Sequence, residues 1–353
     1  MKQVKFHKLV TVSAVMVLLV LAAQTSAAES AKADITGDWQ LTVDFNNVKM
    51  PAILSLSKDA SGKLAGKWIS FGVSDLNDVK YEENKLSFVQ VNRFRDRQST
   101  SNFTGTIKGD ILSGTLSGER GTSTVEGLRI KPEPAAVGNW EIKTKSAEKE
   151  STAVLTIKAD KDGKLAAQWQ DGNNISPIPD VSFKQDKLTF SRKSAVEGLE
   201  KVSSYELTVK DNMLTGTAKL QQEESKVEGK LIGDALIGKW ELTITSERGP
   251  RTQILQVNRD LSGLYGATPI DKINLQNNQV SFKFSMRMRD QTVENEFKAT
   301  FEGGKLTGDL IGGVDGTARK VEGKKAAAVS AQSAPPVPTT LPIPKMPADT
   351  NKK

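Results

Sequence analysis

The chain has 353 residues, a formal net charge of +7, one His and no Cys. Its length allows two or three domains, and the absence of Cys excludes disulfides, thiolate chemistry and a lipid-bearing cysteine. The single His, His7, lies in an N-terminal leader, so the remainder has no His base, no Ser-His-Asp or Cys-His nucleophile and no zinc site of the usual donor set.

The leader comes first. Lys2, Lys5 and Lys8 precede an uncharged stretch, 9–28, whose centre at 15–21 is continuously apolar and whose end is Ser26-Ala27-Ala28. A basic start, an apolar centre and small residues before a cut describe a signal peptide at 1–28, and the protein is expected to be secreted or periplasmic. An uncleaved anchor is the alternative and the only expected membrane contact; the Thr, Ser and Gln near the end of the stretch weaken it as a span.

Self-similarity follows. Gly37-Asp38-Trp39, Gly138-Asn139-Trp140 and Gly238-Lys239-Trp240 recur at spacings of 101 and 100. Each copy then carries an Asp-x-x-Gly turn (Asp59 to Gly62, Asp160 to Gly163, Asp260 to Gly263) and a late Leu-x-Gly at Leu112, Leu214 and Leu306. Matching landmarks in register mark a triplicated unit. All five Trp occupy equivalent positions, Trp39, Trp140 and Trp240 early and Trp68 and Trp169 later, as packing anchors would.

Within a copy the apolar period is 2: Trp39, Leu41, Val43 and Phe45 alternate with polar residues, and Phe282, Phe284, Met286 and Met288 do the same. This is strand with one buried face, and the intervening Gly, Asn, Asp and Ser clusters are hairpin turns. The first copy reads as eight strands, about 37–45, 49–58, 63–70, 75–82, 85–94, 98–108, 111–118 and 123–131. The expected fold is all-β, three tandem eight-stranded antiparallel up-and-down barrels at 34–131, 137–231 and 236–323; a two-sheet sandwich has the same periodicity. The links are short and the Pro residues in 131–137 stiffen the first, which implies a fixed string of barrels.

Residues 324–353 hold six of the 13 Pro and few large apolar side chains, so a disordered tail is expected. Three Lys in the leader and five Lys against one Asp in the tail account for the whole net charge. Neutral barrels carry no basic footprint for nucleic acid.

A Gly-x-Trp opening the first strand of a small antiparallel barrel resembles the calycin superfamily, the lipocalin-like barrels. The whole repeat, Gly-x-Trp, Asp-x-x-Gly and Leu-x-Gly, also resembles a domain of secreted bacterial proteins of uncharacterised function. The calycin resemblance implies that Trp39, Trp140 and Trp240 plug one barrel end, each under a basic residue near the last strand, here Arg129, Lys230 and Arg319.

Candidate sites follow from inward parity. Gly66 beside Trp68, and Ala167 beside Trp169, leave room for a flat ligand unless the Trp fills it. On strand five, copy one presents Gln90, Asn92 and Phe94 inward, and copy three Phe284, Met286 and Met288. Copy three also has Ala267-Thr268-Pro269 where a Trp is expected. If any copy holds a small apolar ligand, the third is therefore the one expected to, unless neighbouring side chains close the gap. Arg93 with Arg95, and Arg287 with Arg289, flank corresponding hairpins and could clasp an anionic envelope polymer, or form a solvated face. No phosphate loop, nucleophile elbow, calcium loop or cofactor motif is present. A non-enzymatic binding protein is expected; a carboxylate-dependent enzyme on envelope polysaccharide and a structural spacer are the alternatives.

Overall fold

The computed structural model describes residues 34–326 except 95, 96, 148, 161, 197, 198, 248, 289, 290, 314 and 315. The expected signal peptide and the tail from 327 onward lie outside the described residues. Apart from turns and one 3-10 turn at Asp234–Leu236, the described chain is strand.

The first copy is a closed barrel of β1 (Gly37–Phe45), β2 (Val48–Lys58), β3 (Leu64–Ile69), β4 (Val73–Glu82), β5 (Lys85–Phe94), β6 (Arg97–Lys108), β7 (Ile111–Gly118) and β8 (Gly121–Arg129). Each strand is antiparallel to the next, and β8 returns to β1 with Trp39 opposite Arg129. The alternation predicts the buried face: Trp39, Leu41 and Val43 all lie in the core. Asn46-Asn47 and Glu83-Asn84 both take positive φ at both residues, the left-handed pair that a two-residue hairpin of right-twisted strands requires.

The repeated glycines are close approaches. A Cβ on Gly127 would stand 2.4 Å from Leu41 Cδ2, and one on Gly216 would stand 2.1 Å from the carbonyl oxygen of Glu206. Leu-x-Gly, and the Val-Glu-Gly at 125–127, 227–229 and 321–323, thus recur because neighbouring strands leave no volume there.

Copies two and three differ from the expected eight strands. The second has nine, β9 (Gly138–Lys145), β10 (Glu150–Ala159), β11 (Leu165–Asp171), β12 (Asn174–Ile178), β13 (Val181–Lys184), β14 (Lys187–Val196), β15 (Leu199–Lys210), β16 (Met213–Leu220) and β17 (Glu223–Leu231). The third has β18 (Gly238–Ser246), β19 (Gly249–Val257), β20 (Gly263–Tyr265), β21 (Thr268–Ile270), β22 (Asn274–Gln276), β23 (Gln279–Met288), β24 (Gln291–Glu302), β25 (Lys305–Gly312) and β26 (Ala318–Lys325). In each the fourth strand is broken, and its halves form the two ends of the sheet. Pro179 lacks the N–H that would continue the ladder between β12 and β13. In copy three Ile273 turns inward, fully buried, and its N–H donates to the Leu261 carbonyl instead. Copy one keeps its fourth strand whole through a bulge between Asn77 and Lys80. The last strand of copy three runs through Lys325, past the boundary expected at 323.

Barrel three touches both others, so the arrangement is more compact than a string. Ile53 and Ile69 of barrel one pack with Ala267 of barrel three in a separate buried cluster, flanked by Val73, Ile254 and Leu264. Inside that contact the buried Gln253 amide donates to the Ser70 carbonyl at 2.9 Å. Lys239 pairs with Asp38 at 2.5 Å. Toward barrel two, Arg259 donates to the carbonyls of Val137 and Ala135 at 2.8 Å and to Asn212 Oδ1 at 2.6 Å. Burial opposes the Arg259 charge and shifts its pKa down, while Asp234 and Glu133 pull it back.

Candidate functional site

The two ends of each barrel are built differently. At one end Trp39, Trp140 and Trp240 are fully buried. Their indole N–H groups donate to the carbonyls of Ile35, Ala136 and Leu236, each four residues earlier, at 3.1, 2.9 and 2.6 Å. The lead-in segment therefore caps each ring and fixes its polar edge.

The cations over those rings are Arg129 at 4.7 Å from Trp39, Arg259 at 5.5 Å from Trp140 and Lys325 at 5.8 Å from Trp240. Lys230 and Arg319 are not those residues. Lys230 is exposed and pairs in register with Glu141, because Leu231 occupies the place opposite Trp140. Lys325 stands opposite Trp240, while Arg319 lies earlier on β26 and donates to the Gly312 carbonyl at 2.9 Å. With Leu231 in the cation's place, the charge over Trp140 comes from barrel three.

At the other end the inward positions diverge. Trp68 and Trp169 are each 4% exposed and fill their barrels: Trp68 lies 6.1 Å from Phe88, and Trp169 lies 5.3 Å from Tyr205. The space that Gly66 was expected to leave is taken, since a Cβ there would meet Leu76 at 3.0 Å and Leu56 at 3.1 Å. Copy three has lost no filler either. Its β19–β20 hairpin is shorter, so Tyr265 pairs with Leu255 as Trp68 pairs with Leu54 and Trp169 with Leu155. Tyr265 is buried and stacks on Phe284 at 4.4 Å. Tyr265 therefore stands where a missing filler was expected in barrel three. Met286 is half-buried against this core; the Met288 side chain lies outside the described residues. Arg287 is exposed, while Arg95, Arg289 and the Arg93 side chain lie outside the described residues, so the proposed anion clasp has no described geometry.

The equivalent positions on strand five are Gln90, Arg192 and Phe284, then Asn92, Ser194 and Met286. In barrel one the Gln90 amide donates to Asn92 at 3.3 Å. In barrel two the Arg192 guanidinium lies 4.7 Å over Trp169, with Ser203 opposite it on β15 and Lys201 opposite Ser194. Burial pushes the neighbouring Tyr205 hydroxyl up, against the pull of Arg192. Strand parity in copy two would have found Arg192; the comparison of copies one and three alone passes over it.

Barrel two also has an opening in its wall. At the break between β12 and β13 a groove of 920 Å³ runs past Pro179 and Val181 to Phe190 and Tyr205, rimmed by Lys164, Lys193, Asp180 and Glu206; Arg192 does not line it. Among the described residues no cluster of three or more His, Cys, Asp or Glu could hold a metal ion.

No family model matches the sequence, and no curated protein matches it. Among solved structures, a Bacteroides fragilis protein with a provisional outer-membrane assignment is 13% identical, with TM-score 0.24, covering 55% of this chain and 96% of that one. A Nostoc punctiforme protein of unknown function from the DUF3598 family is 10% identical, with TM-score 0.21, covering 83% and 96%. Transferrin binding protein B of Neisseria meningitidis is 11% identical, with TM-score 0.18, covering 78% and 65%. TM-scores this low carry no weight for function.

Proposed function

We propose that this is an exported, non-enzymatic binding protein whose three barrels present differently lined open ends to small ligands. The leader pattern at 1–28 supports export. One observation carries the binding reading. On a shared scaffold of plugged ends and aromatic cores, the inward positions of strand five change in chemistry from copy to copy: amide in barrel one, cation in barrel two, aromatic and thioether in barrel three. Packing alone asks for similar volume at such positions; changes of charge and polarity select ligands. Native mass spectrometry of the full chain purified from the cells that make it tests this reading. A retained small molecule is expected. An empty protein that cleaves envelope polysaccharide would overturn it.

A further inference from the structure

We infer that the open end of barrel two is a site for a small oxyanion, the carboxylate or phosphate group of a soluble ligand, with Arg192 as its anchor. This rests on the binding reading and names the ligand class for one barrel.

Three observations carry it. First, Arg192 keeps one donor unpaired, although its guanidinium reaches the Tyr205 hydroxyl and the Trp169 ring. Gln90 bonds to Asn92, and Phe284 stacks on Tyr265. Arg192 Nε is buried and its hydrogen has no acceptor. A buried donor without an acceptor is costly, and a charged one more so. Second, the site holds cations without carboxylates. Lys201 shares the inward parity of β15 and is half-buried. Neither Arg192 nor Lys201 is ion-paired with a carboxylate among the described residues, although Lys193, on the outer face of the same strand, pairs with Glu200 at 2.8 Å. Ser203, opposite Arg192, and Ser194, opposite Lys201, add hydroxyl donors. Third, the guanidinium plane is held from behind by the Trp169 ring at 4.7 Å. A guanidinium stacked on a ring keeps its edge for a planar oxyanion, which it binds by parallel N–H···O bonds.

The test is a titration of the full chain, reading the arginine Nε–Hε signals by NMR, with benzoate, phenyl phosphate and neutral benzyl alcohol. One Nε signal, absent in Arg192→Gln, is expected to shift saturably with an anion and not with the alcohol. Whichever of benzoate and phenyl phosphate moves it further identifies the headgroup. Binding is expected to weaken about tenfold or more in Arg192→Gln, in line with loss of a charge-assisted hydrogen bond, and to survive Lys193→Gln. If Arg192→Gln does not fold, Arg192→Lys keeps the charge, loses the planar fork and is expected to bind more weakly than wild type. No saturable shift with either anion, or equal binding by wild type and the Arg192 variants, overturns the inference. If the anions fail while a retained molecule is found elsewhere in the protein, the binding reading stands without this site. If both fail, both fall.

Discussion

The plugged ends of the barrels and the ends opposite them obey different constraints. At the plugged ends the three copies are chemically alike: a buried Trp, a carbonyl four residues back accepting its N–H, and a cation over the ring. Where copy two lacks the cation, Arg259 of barrel three supplies it. At the opposite ends the copies share parity and little else. The plugged ends thus keep one chemistry while the opposite ends vary, and the proposed function places its site at the varying end.

The largest break in this comparison is at a plug. Trp240→Ala is expected to cost ~3–5 kcal/mol, and more than barrel three should respond, because Ile53, Ile69 and Trp140 all lean on it. Urea unfolding of the full chain checks this; loss of barrel three alone would mean that the contacts between barrels add little. Arg259→Ala is next, at about 2–3 kcal/mol from the loss of charged hydrogen bonds. It is expected to destabilise barrel two from a position in barrel three, which the fluorescence of Trp140 during unfolding would show.

Tyr265 sharpens the comparison through pH. Burial pushes its hydroxyl up to about 12 from an ordinary 10. The folded state therefore keeps this proton after the unfolded chain has lost it. The stability tied to Tyr265 is full below pH 10 and falls as pH rises toward 12, by ~2–3 kcal/mol. Melting temperatures of wild type and Tyr265→Phe across that range are expected to converge or cross in favour of Phe. Parallel curves would mean that the hydroxyl is hydrated. The smallest effect is expected at a mouth: Asn92→Ser should change stability by no more than about 0.5 kcal/mol, measured by the same unfolding.

Much of the scaffold is legible in the sequence, because period-2 alternation and hairpin residues act locally. The eight strands of copy one fall within a residue or two of the alternation, and Asn46-Asn47 turns where two left-handed residues are needed. What escapes is non-local or a matter of register. The shortened β19–β20 hairpin moves Tyr265 into the place of Trp68, which counting from the Asp-x-x-Gly turn misses. The cation over Trp140 belongs to another barrel, and no spacing within copy two contains it. The contact between barrels one and three did leave a signal: Ile53 and Ile69 are apolar on the face opposite Leu54 and Trp68. Pro179 likewise marked the broken strand. Of the mouth residues, Phe284 and Met286 follow from parity, while Arg192 needed the same count carried through the middle copy.

The most direct test of the division between scaffold and site is paired urea unfolding of Trp140→Ala and Arg192→Gln, both in barrel two and on opposite sides of that division. Trp140→Ala is expected to lose ~3–5 kcal/mol and Arg192→Gln to stay within about 1 kcal/mol of wild type. Comparable losses in the two variants would contradict the account, because Arg192 would then be a brace for Trp169 and part of the scaffold.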